Sequence, residues 1–396
     1  MIMKNQFILG LFAIFALTSC SDNSETDYEE IPAYPFVEAE FGSSIDLNNL
    51  ANYANQTVPS YITKNNSQGN VITDKGATLG RVLFYDKNLS SNNTISCASC
   101  HKQEFAFSDT NVASTGVNGT TGRHSMRLIN SRFATETKFF WNERALNLET
   151  QTTMPIKDHG EMGFSGENGD LSFNDLITKL SAIGYYRELF KFVYGTEEIT
   201  EAKIQSALAQ FIRSIQSFDS KYDVGRALAA NDGQPFSNFT AQENQGKNLF
   251  LSPPVFDANG VRTSGGLGCA GCHRAPEFDI DPNTLNNGII GTIAGTGIDT
   301  GNTRAPSLRD LVRTDGTTNG PMMHTGVITT LQAAIGHYGT INIAPGNNNL
   351  DPRLTPGGIG QQLNLTATEV NAVIAFLRTL SGTDVYTNTK WSNPFN

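Results

Sequence analysis

Two copies of the run C-x-x-C-H constrain this chain more than any other feature. Their members are Cys97, Cys100 and His101 in the first copy and Cys269, Cys272 and His273 in the second. This run is the attachment signature of c-type haem, in which two thioether bonds hold the porphyrin and the adjacent histidine binds the iron. The copies begin 172 residues apart, so each can serve a separate site. The sequence therefore predicts two covalently bound haem c groups.

The first twenty residues predict export and a lipid anchor. Lys4 precedes an apolar stretch at 7–17 that is too short to span a bilayer comfortably. The run Leu17-Thr18-Ser19-Cys20 then resembles the lipobox of bacterial lipoproteins. On this interpretation residues 1–19 are a signal peptide and Cys20 becomes lipidated, which places the protein on the periplasmic or cell-surface side of a membrane. The alternative is an ordinary signal peptide in which Cys20 has no role.

Cysteine use and charge agree with this location. Four of the five cysteines lie in the haem runs and the fifth is Cys20, so none is left for a disulfide. Residues 20–74 begin with an acidic, polar stretch, which predicts a tether between the lipid anchor and the folded part. The formal net charge of -10 argues against a nucleic-acid partner and is compatible with a basic or dipolar redox protein.

The spacing of apolar residues predicts a mostly α fold with long loops. One helical stripe consists of Ile204, Ala207, Leu208, Phe211 and Ile215. These positions recur at the period of an amphipathic helix, and Thr200 is placed to cap its start. A second helical pattern covers residues 365–380, and a third covers 331–338 and includes His337 as a structural residue. Strand signals are sparse.

A coarse duplication predicts two domains. The apolar and glycine-containing segments at 79–84 and 246–250 each precede a haem run, as the first helix does in cytochrome c domains. Small polar residues at 231–238 indicate a linker between the halves. The predicted organisation is signal peptide 1–19, lipidated tether 20–74, N-terminal haem domain 75–235 and C-terminal haem domain 236–396.

Several further runs accompany the haem motifs between residues 75 and 385. They are L-G-R-V-L-F-Y-D from Leu79, F-F-W-N-E-R-A from Phe139, L-E-T-Q from Leu148, P-I-K-D-H-G-E-M from Pro155, R-A-P-S-L-R from Arg304 and P-M-M-H-T-G from Pro321. Their order resembles the bacterial di-haem cytochrome c peroxidase family, which also contains the MauG-type enzymes. The resemblance implies two cytochrome c-like haem domains with unequal haems.

For the second haem, the resemblance places Met323 as the axial ligand opposite His273. Thioether ligation favours the reduced iron, so this centre is expected to store and relay an electron. Met322 and His324 are adjacent competitors, and the alternative for Met323 itself is a buried core methionine.

For the first haem, the informative residue is one that is missing. Family members commonly carry a distal histidine about sixteen residues past the motif histidine, and this chain has Val117 there. Valine cannot bind iron, so we expect an open distal face. His124 is the alternative ligand. It occupies a position that is usually asparagine in the family, near a calcium ion between the domains, so its part as a calcium ligand is also open.

The resemblance assigns the remaining site residues. Glu161 is placed to move the proton during O–O cleavage, Gln151 to orient peroxide and Trp141 to relay electrons between the haems. The alternatives are a solvated loop acid for Glu161 and ordinary core packing for Trp141. His159 reads as a surface histidine near the site. Arg144 and Arg304 are candidates to pair with haem propionates.

These assignments favour a peroxidase that reduces hydrogen peroxide to water. A small cytochrome c or cupredoxin is the expected electron donor, and the family often forms homodimers. One alternative is a MauG-like enzyme that oxidises a protein or organic substrate, against which Met323 argues and for which Val117 argues mildly. The other is a non-enzymatic di-haem electron carrier, which requires two six-coordinate haems.

Overall fold

The computed structural model describes residues 33–135, 137–280 and 283–395, and the predicted signal peptide and Cys20 lie outside them. These residues form a mostly helical structure with little sheet, as the apolar pattern predicts. The helices are α1 (Pro35–Phe41), α2 (Asp74–Tyr85), α3 (Cys97–Cys100), α4 (Leu148–Thr153), α5 (Phe173–Ser181), α6 (Gly184–Tyr194), α7 (Glu201–Ser214), α8 (Lys221–Leu228), α9 (Ala241–Leu251), α10 (Leu331–Gly339), α11 (Ala367–Arg378) and α12 (Asp384–Thr387).

Two short antiparallel ribbons make up the described sheet. The strands are β1 (Pro254–Phe256), β2 (Arg262–Gly265), β3 (His273–Arg274) and β4 (Asp279–Ile280). Strand β1 pairs with β2, and β3 pairs with β4 so that His273 stands opposite Ile280. Single-turn 3₁₀ segments lie at Gly42–Ser44, Lys87–Leu89, Gln103–Phe105, Cys269–Gly271, Pro352–Leu354, Pro356–Gly358 and Thr389–Trp391. The second haem motif is therefore held partly by a ribbon.

The predicted helices begin where their capping residues lie. The Thr200 hydroxyl accepts the backbone N–H of Lys203 at 3.3 Å, which satisfies one free donor at the start of α7. Helix α11 begins with a capping box, in which Thr366 and Glu369 each accept the other's backbone N–H. The helix predicted at 365–380 is therefore confirmed in α11, and the one predicted at 331–338 in α10.

The coarse duplication appears as two helix pairs that cross at glycine. Helix α2 packs on α7 and helix α9 packs on α11. A Cβ on Gly80 of α2 would lie 2.0 Å from the carbonyl oxygen of Ala207, and one on Gly246 of α9 would lie 1.9 Å from that of Ala372. Only glycine allows backbones to approach this closely. Each half thus places its haem-preceding helix against a later helix in the same way.

Two clusters of buried apolar residues form the core, and their boundaries differ from the predicted domains. Tyr222 and Phe236 pack in the second cluster, although the sequence places Tyr222 in the N-terminal domain and a linker around Phe236. Conversely, Val385 and Trp391 near the C-terminus pack in the first cluster. The apolar side chains of α8 and of the last residues pack in the cluster that buries them. Their position in the sequence does not show which cluster that is.

The prediction of a tether as far as residue 74 is wrong for residues 34–74. Val37 and Phe41 of α1 are buried in the first cluster, and so is Tyr53. The backbone N–H of Tyr53 donates to the Asp74 carboxylate at 2.7 Å, and Lys64 forms an ion pair with Asp279 at 2.7 Å. Widely spaced apolar side chains anchor this segment, although its overall composition is polar.

Candidate functional site

The first haem motif is held in a short helix that ends at its histidine. Helix α3 begins with a capping box between Ser96 and Ser99, and Cys97 and Cys100 are its first and last residues. His101 follows directly, and its ring Nδ1 donates to the Phe107 carbonyl at 3.2 Å. Burial lowers the pKa of His101, so the ring is neutral at pH 7. With Nδ1 engaged, Nε2 keeps its lone pair for a metal.

A cavity at this motif brings three of the predicted roles together. Cys97, Cys100 and His101 line it, as do Glu161 and Gln151 from a loop and from helix α4. The donor set therefore fits a c-type haem. The cavity volume is about 80 Å³.

Glu161 is a carboxyl group with an unusual affinity for its proton. Burial, with a smaller effect from the nearby Asp158 carboxylate, raises its pKa to about 7, and Arg144 partly opposes this. Its backbone N–H donates to the Asp158 carboxylate at 3.0 Å, which holds the residue in a tight turn. A group that titrates near neutral pH can both accept and return a proton.

The segment around Val117 lies directly against the Glu161 turn. The Val117 N–H donates to the Glu161 carbonyl at 3.0 Å. A Cβ on Gly116 would lie 2.0 Å from the Gly160 carbonyl oxygen, so glycine is required there. Among the described residues, His101 is the only histidine that lines the first cavity. The described part of this cavity therefore offers no second histidine that could hold an iron.

His124, the alternative ligand of the first haem, lines the second cavity and not the first. Its ring Nδ1 donates to the Asn111 carbonyl at 3.0 Å, and burial lowers its pKa to about 4. Within the described ranges no group of three or more histidine, cysteine or acidic side chains is arranged to hold a metal ion. The structure thus adds no support for a calcium ligand at this residue.

The second haem motif lines a larger cavity of about 610 Å³, a volume usual for a cofactor pocket. Cys269, Cys272 and His273 line it together with Met323. Burial lowers the pKa of His273 to about 4, so its ring is neutral and able to bind iron. Thioether, imidazole and two thiols are the donor set of a c-type haem with a methionine ligand, and both donors and volume fit.

The neighbours of Met323 are placed differently from it. Met322 also lines the cavity and is buried in the second core cluster. His324 is buried but does not line it, and its Nε2 donates to the Gly291 carbonyl at 3.3 Å. The Met323 sulfur accepts a hydrogen bond from Asn287 Nδ2 at 3.3 Å. His324 is therefore the weaker competitor as a ligand.

Trp141 is buried in the wall of the second cavity. Its ring Nε1 donates to the His124 carbonyl at 2.7 Å, and its own carbonyl accepts the Arg304 N–H at 2.7 Å. The chain next to His124 separates the two cavities, and Ser125 lines both of them. Trp141 thus lies beside the partition between the cavities, although it lines only one of them.

The two arginines proposed for propionates are placed unequally. Arg304 is buried and lines the second cavity, with its guanidinium 4.6 Å from the Phe139 ring centre. Arg144 is exposed, lines neither cavity and stacks on Phe140 at 3.5 Å. His159 is exposed and pairs with Asp170 at 2.9 Å, as expected for a surface histidine.

Sequence reasoning missed several polar residues of the second cavity. Asn287, Arg127 and Arg353 all line it. Arg353 donates to the carbonyl of Gly271, inside the haem motif, at 2.7 Å. Their only sequence signal is polarity within loop segments, which many surface residues share, so no pattern singles them out.

No helix of the described residues is long and apolar enough to cross a bilayer. This finding concerns only those ranges, and the predicted lipid anchor lies outside them.

Comparisons with known proteins show what this chain is similar to. The profile of the family described as "Di-haem cytochrome c peroxidase" matches residues 74–230. A methylamine utilization protein MauG of Methylorubrum extorquens is 30% identical over 68% of this chain and 70% of its own length. A cytochrome c551 peroxidase of Nitrosomonas europaea is 28% identical over 77% and 80%.

A solved structure of similar fold extends the likeness across both cavities. It is a MauG-like protein associated with microbial copper homeostasis, with a TM-score of 0.65 and 28% identity. The match covers 86% of this chain and 99% of the other. Motifs, cavities and relatives lead to one conclusion: the chain belongs to the di-haem cytochrome c peroxidase and MauG family.

Proposed function

We propose that this protein reduces hydrogen peroxide to water, with peroxide at the first cavity and electrons entering through the second. The observation that carries the proposal is that Glu161 and Gln151 line the same cavity as His101, whereas Met323 lines the cavity of His273. One site therefore has groups that could transfer a proton, and the other has a thioether that could hold the iron together with His273. Family membership implies two haem c groups, which when bound supply the iron chemistry.

Glu161 is assigned the proton transfer at the first cavity. Its carboxylate takes the proton from the inner oxygen of peroxide and returns it to the outer oxygen, which leaves as water. With a pKa of about 7 the group is partly ionised at neutral pH, so both halves of this transfer are accessible. Gln151 lines the same cavity and orients the peroxide by hydrogen bonding. The overall reaction consumes two protons and two electrons per peroxide.

The second cavity is assigned to electron entry and storage. His273 and Met323 would hold its haem iron, and thioether ligation would favour the reduced state. Trp141 is the proposed relay toward the first cavity, since its ring is buried beside the partition. The donor is a small redox protein, either a cytochrome c or a cupredoxin. We further propose that each cavity belongs to its own haem domain, and that Cys20 anchors the protein by a lipid on the periplasmic or cell-surface side.

The test is peroxide turnover with reduced cytochrome c as the sole electron donor. We expect turnover in the wild type and loss of it in Glu161→Gln. Glu167→Gln is the matched control, because Glu167 is exposed on the same segment and does not line the cavity. Absence of turnover in the wild type with competent donors would refute the peroxidase assignment.

MauG-like oxidation of a protein or organic substrate is the second candidate. It is favoured by the MauG relative at 30% identity and by the lack of a histidine ligand at Val117. Oxidation of a co-incubated substrate without turnover of cytochrome c would support it. A non-enzymatic electron carrier predicts two low-spin haems, so a high-spin ferric signal in the resting protein would exclude that function.

A further inference from the structure

Met323 is held in a backbone conformation that methionine rarely adopts. Its φ is +69°, in the left-handed region. The residue lies in a tight turn in which Met322 N–H donates to the Ile328 carbonyl at 2.6 Å and Gly326 N–H donates to the Met323 carbonyl at 3.1 Å. Such conformations persist where the surroundings hold a side chain in one place. The turn therefore directs the thioether into the second cavity.

Asn287 is the polar side chain that contacts this sulfur. It is buried, and its Nδ2 donates to Met323 Sδ at 3.3 Å. Its Oδ1 accepts the N–H of Ile289 at 3.1 Å, so the amide is oriented with Nδ2 toward the sulfur. Its backbone carbonyl accepts from His337 Nε2 of α10 at 2.9 Å. The Ile289 bond thus orients the side-chain amide, and the His337 bond holds the backbone that carries it.

We infer that Asn287 is a positioning residue that orients the Met323 thioether and tunes the second redox centre. The amide engages one lone pair of the sulfur, which leaves the other for the cavity that His273 also lines. This inference rests on the proposed function, because it takes Met323 to be the axial ligand.

The expected effect on the centre has a definite sign. A hydrogen bond to sulfur withdraws electron density, so the thioether stabilises the oxidised iron less. The Asn287 contact therefore raises the preference of the centre for its reduced state. Loss of the contact should shift the equilibrium between reduced and oxidised forms about tenfold toward the oxidised form, which is about 59 mV for one electron.

The experiment measures the midpoint potential and the sulfur-to-iron absorption band of the second haem in the holoprotein. Asn287→Leu removes the hydrogen-bond donor and keeps a side chain of similar volume. Asn287→Ala also removes the donor and serves as the second variant if the leucine variant folds poorly. Gln216→Leu is the matched control, because it replaces an amide that lines neither cavity. We expect a lowered potential and a weakened band in both Asn287 variants, with neither change in the control.

Two results would overturn the inference, and they are distinguishable. In the first, both Asn287 variants keep the sulfur-to-iron band and the midpoint potential of the wild type. Met323 would then remain the ligand, but Asn287 would have no role in positioning it. In the second, the wild-type spectrum lacks the band and the Met323→Leu spectrum is the same as that of the wild type. Met323 would then not be the ligand. That second result would refute this inference together with the electron-storage assignment.

Discussion

Replacement of Glu161 by glutamine should change how stability depends on pH. The folded protein raises the pKa of this carboxyl from 4.5 to about 7, chiefly by burial. Each pKa unit corresponds to about 1.4 kcal/mol, so ionisation costs the folded state at most about 3 kcal/mol. Partial solvent access of the side chain reduces this value.

Because the pKa of Glu161 is raised in the folded state, its protonated form stabilises the folded protein. The contribution of Glu161 to stability is fully present below pH 4.5 and is lost as the pH rises through about 7. The glutamine variant has no such titration. The free energy of unfolding of the wild type, relative to the variant, should therefore fall by up to about 3 kcal/mol between about pH 4 and pH 8.

Urea unfolding of both proteins at the two ends of this pH range measures the difference, with Glu167→Gln as the control. The same glutamine variant should lower kcat for peroxide by about 10²–10⁴. The wild-type rate should rise with pH through about 7, because the carboxylate is the base. A stability difference that is the same at both ends of the range would show that Glu161 is not held in a desolvating pocket, and the reasoning would fail.

Three further predictions concern the second cavity and the core. Met323→Leu should lower the midpoint potential of the second haem and abolish its sulfur-to-iron band, as redox titration and absorption spectra would show. Gly80→Ala should lower the free energy of unfolding in urea by about 1–3 kcal/mol, because the added Cβ would lie 2.0 Å from the Ala207 carbonyl oxygen. An unchanged urea midpoint would contradict the close crossing of the two helices. Trp141→Phe should slow electron transfer between the haems in stopped-flow experiments. Trp391→Phe, in a tryptophan that lines neither cavity, should not, and equal effects of the two would count against the relay.

Local patterns predicted the parts of the fold that local forces control. The stripe that begins at Ile204 and the cap at Thr200 define α7, since both depend on residues within four positions of each other. The prediction of a tether over residues 34–74 is wrong because the burial of Val37 and Phe41 depends on distant helices, which composition does not report. The same reason places Trp391 in the first core cluster.

The candidate site divides in the same manner. Glu161 and Gln151 were expected near the first haem only through family resemblance, and the structure places them in one cavity with His101. Asn287 was missed because its meaning lies in a contact with a sulfur 36 positions away. The sequence shows that Val117 stands where a histidine ligand is common in the family. It does not show that the backbone N–H of Val117 donates to the Glu161 carbonyl.

The sequence by itself determined the covalent chemistry, since a C-x-x-C-H run carries both thiols and the imidazole within five residues. Tertiary structure decided how the two sites differ. The raised proton affinity of Glu161 comes from burial, the direction of the Met323 sulfur from its turn and from Asn287, and the position of Trp141 from bonds to His124 and Arg304. Such properties depend on desolvation and on contacts between distant segments, which exist only after the chain has folded.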